Sequence, residues 1–253
     1  PSLRNGPQTR SPPEVSLSQA LLADTETPFE EISRREQGKQ DRRERILVVA
    51  ETLVRKTGGT DFPVSQLAEH AGLSGPTPYN LFGSKSALLY ALLNRSLNSI
   101  LATAEHSTSV RDPVTHLMKA ARNAAHVFAA DPVLYQPLYR FLLGVGDVVH
   151  RPLFLERSLG YWVRALEPMH TAGLLPTASC HLQLARMMVI NFMGALNLWV
   201  HRELEHPQFS AQIVHGSGSL LVGYATAKQK KPLLRRLRQL ESQLPSGFDG
   251  GHP

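Results

Sequence analysis

The sequence contains a single cysteine, Cys180, in 253 residues. One thiol cannot close an internal disulfide, and no Cys/His cluster stands at zinc spacing, so neither a disulfide framework nor a zinc site organises the chain. Long apolar runs are also missing. The most apolar stretch, Met187 to Val200, falls short of the roughly 20 residues a bilayer span needs and reads as a buried helix, so no membrane partner is expected. No charged start followed by an apolar core opens the sequence, which predicts no secretory signal and a reducing, cytoplasmic setting. There is no serine nucleophile elbow, no glycine-rich phosphate loop and no paired metal motif. The cluster His201-x-Glu203-x-Glu205-His206 sets its histidines five apart, off a common helix face, and Pro207 closes it; it reads as a helix end and loop. No catalytic residue, metal or cofactor is therefore predicted, and the chain is not expected to be an enzyme. Strand-type alternation is not sustained anywhere.

What is present points to helices and a polyanion. Hydrophobic residues make up 42%, enough for a sizeable core, and the formal net charge is +6, a weak pointer to nucleic acid. Breakers at Gly58-Gly59, Gly72, Gly83, Asp112-Pro113, Asp131-Pro132, Arg151-Pro152, Gly173 to Pro176 and His206-Pro207 divide the chain into successive helices. Asp112 and Asp131 each stand where an N-cap side chain precedes a proline at the first helical position. The predicted organisation is a proline-punctuated, disordered arm over 1–37, a DNA-binding domain over 38–101, a larger helical domain over 102–230, and a basic amphipathic helix and tail over 231–253. The fold class is all-α.

The first helix is expected from Lys39 to Thr57, with Ile46, Leu47, Ala50, Leu53 and Val54 on one face. A second runs from Val64 to Ala71. Gly72 follows, able to take a left-handed turn, then Leu73 to plug the turn and Ser74 to cap the next helix. A very short third helix spans Gly75 to Leu81, and Gly83-Ser84 open a fourth. Small residue, glycine, apolar residue and capping hydroxyl in this order describe a helix-turn-helix.

The run from Val64 to Leu89 resembles the TetR family of bacterial transcriptional regulators, through Leu67-Ala68, Ala71-Gly72, Thr77, Tyr79, Phe82, Lys85 and Leu88. The resemblance covers about a quarter of the chain. It implies that residues 75–80 enter the major groove of double-stranded operator DNA, with Ser74, Gly75, Thr77, Tyr79 and Asn80 as contacts. Tyr79 and Lys85 would bind phosphates. Asn80 either pairs with adenine or is a solvated or capping residue; Tyr79 could instead be core. Arg42 and Arg43 on the first helix are further candidates, against the plain reading of a solvated helix face. One departure stands out: Pro76 and Pro78 both lie in the supposed recognition helix.

In the resembled family the second domain holds a small-molecule effector, and its occupancy changes the spacing of two DNA-reading heads. Candidate pocket residues are His126, Tyr135, Tyr139, Phe141, Tyr161, Trp162, Met187, Asn191 and Phe192; plain core packing is the competing reading for each. Asn191 is notable because a polar group in an apolar run must find a partner. The last two long helices, 178–202 and 210–227, carry an apolar circumference and the small residues Gly216, Gly218, Gly223 and Ala225, which suits a homodimer interface through 178–227. Burial of both within one subunit is the alternative. The segment Pro232 to Leu244 is expected to pack back on its own domain. The functional expectation is a repressor released by a small, largely apolar effector; the alternatives are a helical carrier of lipophilic molecules or an enzyme.

Overall fold

The structure is a computed structural model, and it describes residues 34–105, 112–175, 177–244 and 247. Among these residues there are ten α-helices and no strand. They are α1 (Arg34–Thr57), α2 (Val64–His70), α3 (Thr77–Phe82), α4 (Lys85–Glu105), α5 (Pro113–Ala129), α6 (Pro132–Gly144), α7 (His150–Thr171), α8 (Ala178–Val200), α9 (His206–Leu221) and α10 (Ala227–Glu241). Residues 1–33 of the expected arm, and most of the tail from 245, lie outside the described residues. Residues 34–37, assigned to the arm from sequence, belong to α1.

α1 forms because its apolar residues recur at helical spacing: Ile46, Leu47, Ala50, Leu53 and Val54 are all buried. It stops at Gly58, whose φ of 66° is the left-handed conformation a Cβ resists. α2 and α3 form a small head against α1 and the start of α4, with Phe62, Val64, Leu67, Ala68 and Phe82 buried between them.

The body is built around α5 and α9. α5 turns Val114, Leu117, Met118, Ala121, Ala124, Ala125 and Phe128 inward and packs on α4, α7 and α9. α8 lies between α7 and α9, and α6 packs on α8. The glycines of α9 are what let its neighbours approach. A side chain at Gly216 would overlap the amide of Asn191 on α8, and a Cβ at Gly218 would stand 2.7 Å from Leu237 Cδ2 and 2.9 Å from Met118 Cε. The Asn191 amide donates to the Ile213 carbonyl at 3.2 Å and lies 3.4 Å from Ser217 Oγ. The polar residue in the apolar run thus finds its partner in the backbone of α9.

Three local expectations need correction. Asp112 caps α5, accepting from Thr115 N–H at 2.8 Å, but Asp131 makes no cap bond; its carboxylate turns to Arg55. Pro207 does not close a segment: it lies in the first turn of α9, which starts at His206, four residues before the expected Ser210, behind a Glu205/Gln208 capping box. The boundary at 230/231 also dissolves. α10 starts at Ala227 behind a Thr226/Gln229 capping box and buries Leu233 and Leu237 on α9 as expected of an amphipathic helix, at about 1.5–3 kcal/mol for each leucine. No described helix is long and apolar enough to cross a membrane.

Candidate nucleic-acid interface and internal cavity

The turn between α2 and α3 is set by backbone bonding. Gly72, at φ 62°, donates to the Glu69 carbonyl at 3.1 Å, and Leu73 donates to that of Ala68 at 2.9 Å. These two bonds form a Schellman stop, which ends α2 and turns the chain out toward α3. Leu73 is half-buried beneath the turn.

The two prolines prove harmless because α3 begins at Thr77. Pro76 is its N-cap residue and Pro78 falls in its first turn, where backbone N–H groups have no partner within the helix. The bonds that close α3 are intact: Asn80 N–H to Pro76 O at 3.0 Å and Gly83 N–H to Tyr79 O at 2.7 Å. Pro78 is also buried, so it serves as the apolar residue that anchors the helix. Ser74 does not cap α3. Its hydroxyl pairs with Thr77 Oγ1 at 2.7 Å. Ser84 does cap α4, accepting from Ala87 N–H at 3.0 Å.

With Pro78 and Phe82 turned inward, the opposite side of α3 faces out. Gly75, Pro76 and Asn80 are exposed, and Tyr79 is 53% exposed, which rules out core packing for its ring. Thr77 is half-buried at the edge of this surface. Lys85, in the first turn of α4, lies with Nζ 4.9 Å from the centre of the Phe62 ring. Burial lowers its pKa, against the raising influence of Asp61. A cation partly short of solvent, resting on a ring, gains from an added anion.

The two arginines of α1 differ. Arg42 is half-buried beside the head. Arg43 donates to the Leu81 carbonyl, and its guanidinium lies 4.2 Å from the centre of the Phe82 ring. It fastens α3 to α1, a role that neither expected reading, DNA contact or solvated helix face, had given it.

The body holds a small apolar cavity of about 40 Å³. Of the expected pocket residues, Tyr139, Tyr161, Trp162 and Phe192 line it, together with Leu97, Ile100, Ala124, Phe128, Phe154, Ser158, Val189 and Met193. Tyr161 donates to the Ala120 carbonyl at 2.8 Å, and burial pushes both tyrosine hydroxyls up in pKa. The other five candidates do not line it. His126 faces out, and Met187 is 44% exposed because its neighbour Met188 takes the inward position. Tyr135 packs edge-on against Phe128, Phe141 packs edge-on against Tyr90, and Asn191 is held by α9.

Sequence reading missed the contacts between head and body, which join residues 59 to 76 apart and leave no periodic signature. Arg55 on α1 makes a two-pronged pair with Asp131 at 2.6 and 2.7 Å and also reaches Glu51 at 2.7 Å. The Arg55 bond is the largest influence holding the Asp131 carboxyl below its ordinary pKa. Ser86 on α4 donates to Asp147, whose carboxylate also accepts from the N–H groups of Val149 and His150. Arg157 on α7 donates to Asn94 and Asn98 on α4.

No family model matches the sequence, and no curated protein sequence does. Among solved structures, a Syntrophomonas wolfei protein assigned to the TetR family is similar with a TM-score of 0.60 at 18% identity, over 74% of this chain and 98% of that one. SmeT, the repressor of the Stenotrophomonas maltophilia multidrug efflux pump SmeDEF, is similar with a TM-score of 0.57 at 23% identity, over 73% of this chain and 91% of that one. A TetR-family transcriptional regulator from Streptomyces coelicolor matches at 0.51 and 19%, over 84% and 92%. Likeness at these identities establishes architecture: a helix-turn-helix head on a larger helical body, which is the fold of the TetR family of transcriptional regulators.

Proposed function

We propose that this chain is a homodimeric, operator-binding transcriptional regulator whose DNA affinity is lowered by a small, largely apolar effector. The observation that carries the reading is the outward surface of the helix-turn-helix. α3 is anchored by Pro78 and Phe82 and leaves Gly75, Tyr79 and Asn80 in solvent. α3 enters the major groove. Thr77 and Asn80 reach base edges, Ser74 and Gly75 lie at the approach, and Tyr79 and Lys85 hold phosphates on either side. Arg42 supplements the phosphate contacts, and Arg43 acts by holding α3 in place. SmeT is named as a repressor, and repression is the mode adopted here.

Two copies meet through α8 and α9. On its outer side α8 exposes Met187 and Ile190, with Gly194 next along the same face. An apolar stripe with a small residue suits an isologous helix pair. The effector enters the core cavity. At about 40 Å³ this is far below the roughly 300–1,000 Å³ of typical ligand sites, so binding must spread its aromatic walls. α7 supplies part of that wall through Phe154, Ser158, Tyr161 and Trp162, and holds α4 through Arg157. Spreading the cavity therefore shifts the helix that carries Lys85.

Selection of bound sequences from random duplex DNA tests the reading. It should enrich a two-fold symmetric site, with half-sites separated by about one helical turn or a multiple, and the affinity should fall steeply with salt. Failure to enrich any sequence, with no salt-dependent retention of duplex, would overturn it.

A further inference from the structure

A groove of about 780 Å³ runs between α5 and α10, a volume within the roughly 300–1,000 Å³ of typical ligand sites. It shares no residue with the core cavity or with the helix-turn-helix. Both of its helices pack on α9, where Met118 of α5 and Leu237 of α10 flank the space that a side chain at Gly218 would fill. The Gln229 amide of α10 donates to Asp112 at the start of α5, at 2.5 Å, and joins the two helices a second time. The groove is thus braced at its base and at one end. Val114, Met118 and Leu233, all buried, give that base its apolar character.

The walls are cationic. α5 supplies Lys119 and Arg122, and α10 supplies Lys228 and Arg236. Lys119, Arg122 and Lys228 are exposed and Arg236 is half-buried, so each can meet a solute. Asp112 is the one acid on the wall, and its carboxylate is already engaged. One oxygen accepts from the Thr115 N–H at 2.8 Å and hydroxyl at 2.6 Å, and the other accepts from Gln229. No described carboxylate forms an ion pair with any of the four cations. Arg55 and Arg95, by contrast, have carboxylate partners. Cations gathered in a cleft repel one another, and the apolar base reduces the screening between them. An anion in the groove relieves that repulsion.

The spacing says what kind of anion. Lys228 and Arg236 stand two turns apart, about 12 Å along α10, and the other two cations come from the opposite wall. One carboxylate or one phosphate cannot meet all four, whereas several linked anionic groups can. A guanidinium takes a phosphate by two parallel bonds, and an ammonium takes it as a point charge. No aromatic ring lines the groove, so nothing there stacks on a base.

We infer that the groove between α5 and α10 binds a short chain of linked phosphates, free or as the tail of a larger molecule, through Lys119, Arg122, Lys228 and Arg236.

The test uses the full chain without DNA, so its failure leaves the DNA-binding reading untouched. Tripolyphosphate, orthophosphate and ATP are titrated by calorimetry at about 0.15 M ionic strength, where charges more than about 8 Å apart are largely screened. Tripolyphosphate should bind saturably and at least about ten-fold more tightly than orthophosphate, the gain of one charge-assisted bond or more. ATP should bind no more tightly than tripolyphosphate; a clear preference for ATP would mean that a base is recognised and would overturn the inference. Arg122→Gln and Lys228→Gln, at exposed positions, should each weaken tripolyphosphate about ten-fold. Arg238→Gln removes the same charge from an exposed position of α10 outside the groove and should leave binding unchanged. Absence of saturable binding at millimolar tripolyphosphate, or an equal loss in all three variants, would overturn the inference. So would Arg122→Gln and Lys228→Gln proteins that lose as much affinity for duplex DNA as for tripolyphosphate, because these cations would then belong to a DNA surface.

Discussion

The phosphate role proposed for Lys85 makes a quantitative prediction. Replacing Lys85 by glutamine removes the charge but keeps a stem long enough to lie on Phe62, 4.9 Å from the amine in the native chain, so the head should stay folded. Each phosphate contact contributes about 0.9 to the slope of log affinity against log salt. A dimer carries two copies of Lys85, and the slope should become shallower by about 1.8. Between 50 and 200 mM salt the parent chain would then lose about ten-fold more affinity than the variant. Fluorescence anisotropy on a selected duplex and on scrambled DNA measures both slopes. The two duplexes should be affected alike, since phosphates carry no sequence information. A slope that does not move, or a loss confined to the selected duplex, would refute the assignment and place Lys85 among the base-reading or purely structural residues.

Other perturbations follow from the packing. Asp131→Asn breaks the pair with Arg55, both partners about a third exposed, and should cost about 1 kcal/mol or less. The Asp131 pKa is lowered in the fold, so the difference between parent and variant in urea unfolding should be full above about pH 4 and close as the pH falls below it; a gap that widened in acid would contradict the pairing. Gly216→Ala gains about 1 kcal/mol of helix propensity but displaces the Asn191 amide, an overpacking cost of about 1–3 kcal/mol, and should destabilise on balance. In an Asn191→Ala background the same change should stabilise, and additive effects in the double-mutant cycle would exclude the contact. Arg202 holds φ at 65° at the end of α8, donating to the Trp199 carbonyl at 3.1 Å as a glycine would in this stop. Arg202→Gly should add about 0.5 kcal/mol of stability, and a fall in Tm would count against strain there.

The helices were legible because each is long and periodic, and their interiors needed no tertiary information. Their ends were less so, and proline shows why. A proline is equally at home in the first turn of a helix and just past its end. Pro207 was read as a terminator and is an opener, and only the Glu205–Gln208 pairing across it distinguishes the two. Pro78 looked like an interruption until the start of α3 moved to Thr77, which put it among residues whose N–H groups have no helical partner. Asp131 carried every local mark of a cap, yet its carboxylate was taken by Arg55, 76 residues away.

The two candidate sites differ in legibility for a related reason. The candidate surface around α3 is built from consecutive residues whose geometry is decided by Gly72 and the short α3, so the helix-turn-helix spacing together with the family resemblance pointed to it. The cavity depends on the rotation of five helices about their own axes, and a step of one residue turns a side chain by about 100°. Met188 is buried and Met187 is not; Ala124 and Ala125 face in and His126 faces out. Composition marks those helices as apolar without saying which residue of each pair meets the void.

What unites the two sites is α4. Its first residue is Lys85, and its fourth and fifth turns supply Leu97 and Ile100 to the cavity wall. The sequence between contains neither glycine nor proline, the usual causes of a kink, so the 15 steps from Lys85 to Ile100 form one lever of about 22 Å. Ser86 and Arg157 fix that lever to the body at two levels, through Asp147 near its start and through Asn94 and Asn98 farther along. A cavity of about 40 Å³ cannot fill without moving its walls, because a close-packed core has no slack to absorb the volume. Movement at Leu97 and Ile100 therefore has to reach Lys85 unless the Arg157 bonds give way first. The amides of Asn94 and Asn98, rather than the apolar lining, would then set how much of an effector's binding energy arrives at the DNA.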